Sequence, residues 1–176
     1  TLFNVQFEIS KNIIIILIFL FMNLKYINIY NNLVILTRNK ELYKKFKFQD
    51  TFSDRLTILL LHFAFFLKNF KSSKNKDTLQ EIYDYIFRQL ELSIREIGYG
   101  DQSINKKMKD YLNVFYGMID KIDTWNNCDK KEKKLILSVF LNKNEHLDYL
   151  VDYFDKYFID LSNNTLTSYI KGVVKH

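Results

Sequence analysis

Two short stretches hold the side chains that could do chemistry. Asp50–His62 reads D-T-F-S-D-R-L-T-I-L-L-L-H and offers Asp50, Thr51, Arg55 and His62. Arg95–Gly117 reads R-E-I-G-Y-G-D-Q-S-I-N-K-K-M-K-D-Y-L-N-V-F-Y-G and sets Arg95, Glu96, Asp101, Lys106, Lys107, Phe115 and Tyr116 around three of the chain's four glycines, Gly98, Gly100 and Gly117. His62 could serve as a base or ligand. An enzyme built on His62, Asp101 and Tyr116 would need the two stretches to meet in a cleft with perturbed ionisation. The competing reading is structural: the chain has only three histidines, and no carboxylate stands at ligand spacing from His62. A hydrogen-bonded core position suits it better. Arg55, seven residues earlier on the same helix face, could pair with Asp50 or Asp54 and tie a loop to the bundle through its fork of donors.

The R-E-I-G-Y-G-D segment can be read as an anion-binding nest or as a tight helix-to-helix turn. A phosphate loop needs a strand before it and a Lys-Ser or Lys-Thr pair after its last glycine, and neither is present. Arg95 and Glu96 are adjacent, cannot share a helix face, and are expected to reach across the turn to neighbouring helices. Asp101 is expected to cap the amides that follow. Lys106 and Lys107 oppose the dipole of the first helical turn, which points to an acidic partner or to a solvated face. Phe115 and Tyr116 beside Gly117 read as core aromatics where another helix can approach. No helix-turn-helix or RNA-recognition signature accompanies them.

The elements that must position these residues are helices. The chain has 176 residues, 48% of them hydrophobic, with four glycines and no proline. That composition removes the usual punctuation of β folds and predicts an all-α, single-domain bundle of about six or seven helices. The first helix spans Leu24–Phe46, with Ile27, Tyr30, Leu33, Val34 and Leu36 on one face. Asp50 or Thr51 caps a deeply buried second helix carrying Leu56, Leu59, Leu60, Phe63, Phe66, Leu67 and Phe70. Lys68–Lys76 reads as a lysine-rich loop. Thr78 and Glu81 form a capping box for a helix with Ile82, Ile86, Leu90, Ile94 and Ile97 inward, ended by Gly98. Ile104, Met108, Tyr111, Leu112, Phe115, Ile119 and Ile122 form the next stripe. Asp129 and Glu132 box a short helix with Leu135, Ile136, Val139 and Phe140 inward, ended at Asn142–Asn144. A helix from Glu145 to Leu161 buries Leu147, Leu150, Val151, Phe154 and Phe158 and exposes Asp148, Asp152 and Asp155. Thr165–Val174 adds a final turn or two.

The net charge of +6 favours nucleic acid, the ribosome or an anionic membrane surface as partner. Abundant Lys, Asn and Ile with a single alanine, Ala64, also fit a compositional bias without selection for binding. Cys128 is the only cysteine, so no internal disulfide, cysteine zinc site or dithiol motif can form. Ile13–Met22 is apolar but about half the length of a membrane span, and no small-residue cleavage site follows it. Residues 1–21 read as a short membrane-surface segment or as a non-native extension before a start at Met22, with residues 22–176 as the helical domain.

Asp50, Thr51, Arg55, Leu61 and His62, together with Arg95, Glu96, Gly98, Gly100, Asp101, Lys106, Lys107, Met108, Phe115, Tyr116 and Gly117, resemble the two motifs of the ubiquinol-cytochrome c chaperone family. The resemblance covers about Tyr30 to Tyr149. Because the chain begins at Thr1 and the resemblance begins only after Met22, it carries the reading of residues 1–21 as a non-native extension. One departure is Met118, where the family usually has arginine. The resemblance implies an all-helical, non-catalytic assembly factor without a cofactor. Its expected partner is newly made cytochrome b, with the ribosome and a second small assembly factor as further partners and only peripheral contact with the inner membrane. The site of action would be the cytoplasmic face of a bacterial inner membrane, or the matrix side in a mitochondrion; the lack of an evident transit peptide leans bacterial. The alternative is a basic helical nucleic-acid- or ribosome-binding protein with no specific nucleic-acid sequence.

Overall fold

The computed structural model describes residues 24–46, 51–141 and 147–174. Asp50, the 1–21 extension, the Asn142–Asn144 break and Glu145 lie outside the described residues. The helices are α1 (Ile27–Thr37), α2 (Lys40–Phe46), α3 (Phe52–Phe70), α4 (Lys76–Glu96), α5 (Asp101–Asp123), α6 (Lys130–Phe140), α7 (Leu147–Ser162) and α8 (Leu166–Lys171), with 3-10 turns at Ser73–Asn75 and Trp125–Asn127. The fold is all-α, as the composition predicts.

Helix α3 organises the rest. Thr51 caps it reciprocally with Asp54, satisfying two amides that a helix start leaves unpaired. Every residue from Leu60 to Phe66 is buried, so the middle of α3 is covered on all sides, by α1, α5 and α7. Its aromatics reach outward to each neighbour. Phe63 stacks on Phe115 of α5 at 5.3 Å and 7°, Phe65 stacks on Phe154 of α7 at 4.9 Å and 10°, and Phe66 meets Tyr169 of α8 edge-on at 5.3 Å. Such contacts add about 0.5–1.5 kcal/mol per pair beyond burial itself.

The first predicted helix is two. Thr37 turns its hydroxyl back to the Leu33 carbonyl (2.8 Å), and Asn39 accepts from the Glu41 amide (3.1 Å), so α1 stops and α2 begins anew. Its buried face is Tyr26, Ile29, Leu33 and Thr37; only Leu33 belongs to the expected stripe. The rotation is set by Glu81, which accepts from the Tyr26 hydroxyl and from Lys25 Nζ (2.7 Å). Those donors hold the Glu81 carboxyl below its usual range and take it away from the capping box with Thr78.

Helix α4 accordingly begins at Lys76, and the expected Lys68–Lys76 loop shrinks to a corner. Asn75 Nδ2 donates to the Phe70 carbonyl (2.9 Å), and the Asn75 amide donates to Ser72 Oγ (3.2 Å). Ile82, Ile86, Leu90 and Ile94 are buried as expected, but Ile97 is 54% exposed because the chain leaves the helix there and turns at Gly98, φ +98°. In α5 the expected Ile104, Phe115 and Ile122 are fully buried, joined by Met118.

Helix α6 carries the predicted Asp129–Glu132 box, yet Ile136 and Leu137 face inward while Leu135 and Val139 are exposed. Its rotation follows the charges. Lys130 pairs with Asp152 (2.8 Å), Lys133 with Asp155 (2.9 Å) and Lys134 with Asp148 (3.1 Å), so Asp148 and Asp152, exposed as expected, and the half-buried Asp155 form a ladder between α6 and α7. Asp155 also accepts from Trp125 Nε1 (2.7 Å). Helix α7 buries the expected Leu147, Leu150, Val151 and Phe154, and adds Tyr157 and Leu161, while Phe158 is half-buried. The final turns form α8, capped by Thr165 and ended at Gly172, φ +69°.

Removing the Phe115 ring leaves a void against Phe63 and Phe87. Phe115→Ala should lower stability by about 3–5 kcal/mol, read as a shifted urea midpoint with an unchanged slope.

Candidate functional site

Helices α4 and α5 follow one another through the short Gly98–Gly100 turn and meet again through Tyr83, Phe87, Phe115 and Tyr116. Between them lies a groove of about 800 Å³. Its aromatic lining is Tyr83, Tyr85 and Phe87 from α4 and Tyr116 from α5; beneath it the fully buried Phe115 of α5 lies against Phe87 at 5.2 Å and Tyr83 at 6.1 Å. The Tyr83 hydroxyl donates to that of Tyr116 (3.0 Å), bridging the walls. Burial and that bond push the Tyr83 phenol above its ordinary pKa. Met108 and Leu112 line the α5 wall. Leu92, on α4, and Tyr116 also line it and remain 43% and 56% exposed, large apolar surface that a closed core would have covered. The charged rim carries Asp84, Arg88, Glu91 and Arg95, two of each sign. This is a surface for an apolar or amphipathic segment, with no excess charge to select an anion.

The turn that sets the two walls is clasped. Arg95 donates to Glu91 through Nη2 (2.8 Å) and Nε (3.1 Å) and to Asp101 through Nη1, so it reaches across the turn as expected. Asp101 is spent on this pair; it does not cap α5, whose N-cap is Gly100 without a side-chain bond. Gly98 alone has a left-handed backbone; Gly100 is extended, so the segment is a tight turn and not a run of nest conformations. Glu96 and Lys106 are exposed, and Lys107 places Nζ 4.6 Å from the Tyr99 ring centre. A Cβ at Gly117 would meet Phe140 at 3.8 Å, an ordinary contact, so the approach of α6 does not require glycine there.

The first motif lies elsewhere. Thr51 caps α3, Leu61 is buried, and the exposed Arg55 stands at the mouth of a cavity of about 190 Å³ between α1, α3 and α4. His62 is completely buried. Its Nδ1 is 2.7 Å from the Ile58 carbonyl, which can only accept, so Nδ1 carries the proton and Nε2 accepts from Tyr153 OH (2.7 Å). Tyr153, Phe154 and Tyr157 surround the ring. His62 faces α7, Asp101 closes the α4–α5 turn and Tyr116 bridges the groove, so the three do not form the cleft that an enzyme reading needs. Among the described residues, no group of three His, Cys, Asp or Glu could hold a metal, and no helix is long and apolar enough to cross a membrane.

Sequence reasoning missed Leu92 and Arg88. Both fall off the Ile82–Ile94 stripe, and a single leucine on a polar face carries no signal until its neighbour is known. Met118 is fully buried, so the position that is usually arginine in the resembling family belongs to the core here, where a lone charge would be costly.

The model of the ubiquinol-cytochrome c chaperone family matches residues 44–175. The chain belongs to the ubiquinol-cytochrome c chaperone family. The match starts later and runs further toward the C-terminus than the motifs alone indicated, taking in α3 to α8. Among solved structures, the Cbp3 homolog from Brucella abortus is similar, with a TM-score of 0.71 and 25% sequence identity over 86% of this chain and 87% of that one. No curated protein sequence matches. The match takes in both stretches on which the resemblance rests, one around the start and middle of α3 and the other from the end of α4 along α5.

Burial holds the His62 ring neutral, with its pKa lowered from 6.5 to about 4. The unfolded chain binds a proton in that window and the folded chain does not, so this contribution is complete above about pH 6.5. It is lost as pH falls toward 4, by about 3 kcal/mol. Urea titrations from pH 7 to 4.5 should show the loss, and it should be smaller in His62→Gln, which cannot titrate.

Proposed function

We propose that this protein is a non-catalytic assembly factor for ubiquinol-cytochrome c reductase that holds newly made cytochrome b, with the α4–α5 groove as the holding surface. The family match over residues 44–175 carries the reading. The groove supplies a physical means: an aromatic lining, exposed Leu92 and Tyr116, and a rim of balanced charge would accept an apolar helix before its own partners assemble around it. The work would be done at the inner membrane, on its cytoplasmic face in a bacterium or on the matrix side in a mitochondrion, beside the ribosome and with a second small factor.

The Lys–Asp ladder between α6 and α7 weakens the nucleic-acid alternative, because it engages Lys130, Lys133 and Lys134 within the fold.

Deleting the gene should lower the reduced-minus-oxidised haem b signal and the cytochrome b protein together, both restored by the full chain. Normal levels of both would sink the assembly role. A photoreactive residue at Leu92 should cross-link to nascent cytochrome b, and Leu92→Asp with Tyr116→Asp should cut recovery at least about tenfold if desolvation of these side chains drives the contact. Cross-links that persist in the double variant would move the client to another face.

A further inference from the structure

The lysine-rich corner between α3 and α4 is not used by the groove. Lys68, Lys71, Lys74 and Lys76 fall within nine residues, with no acidic residue among them. The structure fixes this corner. Asn75 is bonded to Phe70 and Ser72, and Phe70 is anchored in the core against Phe66 and Tyr169. Lys71, Lys74 and Lys76 are exposed and are therefore presented from a rigid support.

Three of these lysines, Lys68, Lys71 and Lys76, border a cavity of about 240 Å³ whose apolar lining includes Leu67, Leu79, Tyr83 and Ile119. Two carboxylates are close in the fold or the chain. Asp123 lines the cavity and pairs loosely with Lys71 at 3.4 Å, both side chains being largely exposed, while its backbone carbonyl accepts from Lys68 (2.6 Å). Asp77 follows Lys76 and is exposed. Positive charge remains in excess, in contrast to the balanced rim of the groove and to the laddered lysines of α6.

We propose that this corner is a docking site for an anionic lipid surface. Lys71, Lys74 and Lys76 engage headgroup phosphates, and the cavity behind them receives the first methylenes of an acyl chain. Charge complementarity supplies the attraction, each lysine near such a surface contributing a comparable increment. The apolar lining selects lipid over RNA. Single-stranded nucleic acid gains from exposed aromatic faces on which its bases stack, whereas Phe70 and Tyr169 here are buried and the cavity's apolar wall, Leu67, Leu79 and Ile119 with Tyr83, is mainly aliphatic. This inference does not depend on the cytochrome b reading: a lipid-docking corner could stand if the client were different, and the groove could hold cytochrome b if the corner bound nothing.

The test is flotation of the full chain with vesicles of phosphatidylcholine alone or mixed with phosphatidylglycerol. Binding is expected only to the mixed vesicles. Lys71→Glu, Lys74→Glu and Lys76→Glu combined should weaken it at least about tenfold. Lys40→Glu, Lys131→Glu and Lys156→Glu, which change the net charge equally at other exposed positions, should have a much smaller effect. Leu79→Trp, which keeps the charges and fills the cavity, should weaken binding severalfold. No binding to the mixed vesicles, or equal losses in the two triple variants, would overturn the site. Unchanged binding by Leu79→Trp would overturn the acyl contact. Loss of RNA affinity in the corner variant with vesicle binding intact would assign the corner to nucleic acid instead.

Discussion

The fold depends on the middle of one helix having no solvent face. From Leu60 to Phe66 every residue of α3 is buried, which obliges α1, α5, α7 and α8 to surround it. A helix that is apolar all round cannot be stable at a surface, so covering α3 is the constraint that fixes where the other helices go. The stacks of Phe63 on Phe115 and Phe65 on Phe154 then set their separations. His62 is the polar exception in this run, and it is tolerated because both ring nitrogens are satisfied.

The same constraint explains why the groove exists. With α5 committed to α3 through Phe115, helix α4 meets α5 at the Gly98 turn and its Arg95 clasp and, further along, only through the Tyr83, Phe87, Phe115 and Tyr116 rings. The apolar residues along the gap cannot be covered by α3, which is already enclosed. Tyr83, Leu92 and Tyr116 are therefore left at the surface by the geometry of three helices and not by any weakness in the pattern of one.

This division also marks what the sequence could show. Helix α3, the stripe Ile82–Ile94, the Asp129–Glu132 cap and the stop at Gly98 are local consequences of period and turn chemistry, and they were legible. The rotation of α1 was not, because it is decided by Glu81, far away in the chain, drawing Tyr26 and Lys25 toward it. Nor was the rotation of α6, which follows aspartates on α7. The tenor of the two motifs was readable while their geometry was not. Arg95 and Tyr116 line the groove and Asp101 clasps the turn beside it, whereas His62 and Thr51 serve α3, and only the packing of α4 against α5 separates those roles.

The Arg95 clasp across the Gly98 turn has a kinetic side. Walls held at a fixed spacing are already in the shape a client would need, so little ordering entropy opposes association. On the proposed role, a groove held in this way would have no stroke with which to eject a client. Occupancy then follows mass action. A client would leave at its own dissociation rate and stay away only when a competing surface, such as its permanent neighbour in the finished complex, covers the segment first. On the proposed role such a holder would work best with moderate affinity, because tightening the grip would lengthen residence and delay the handover.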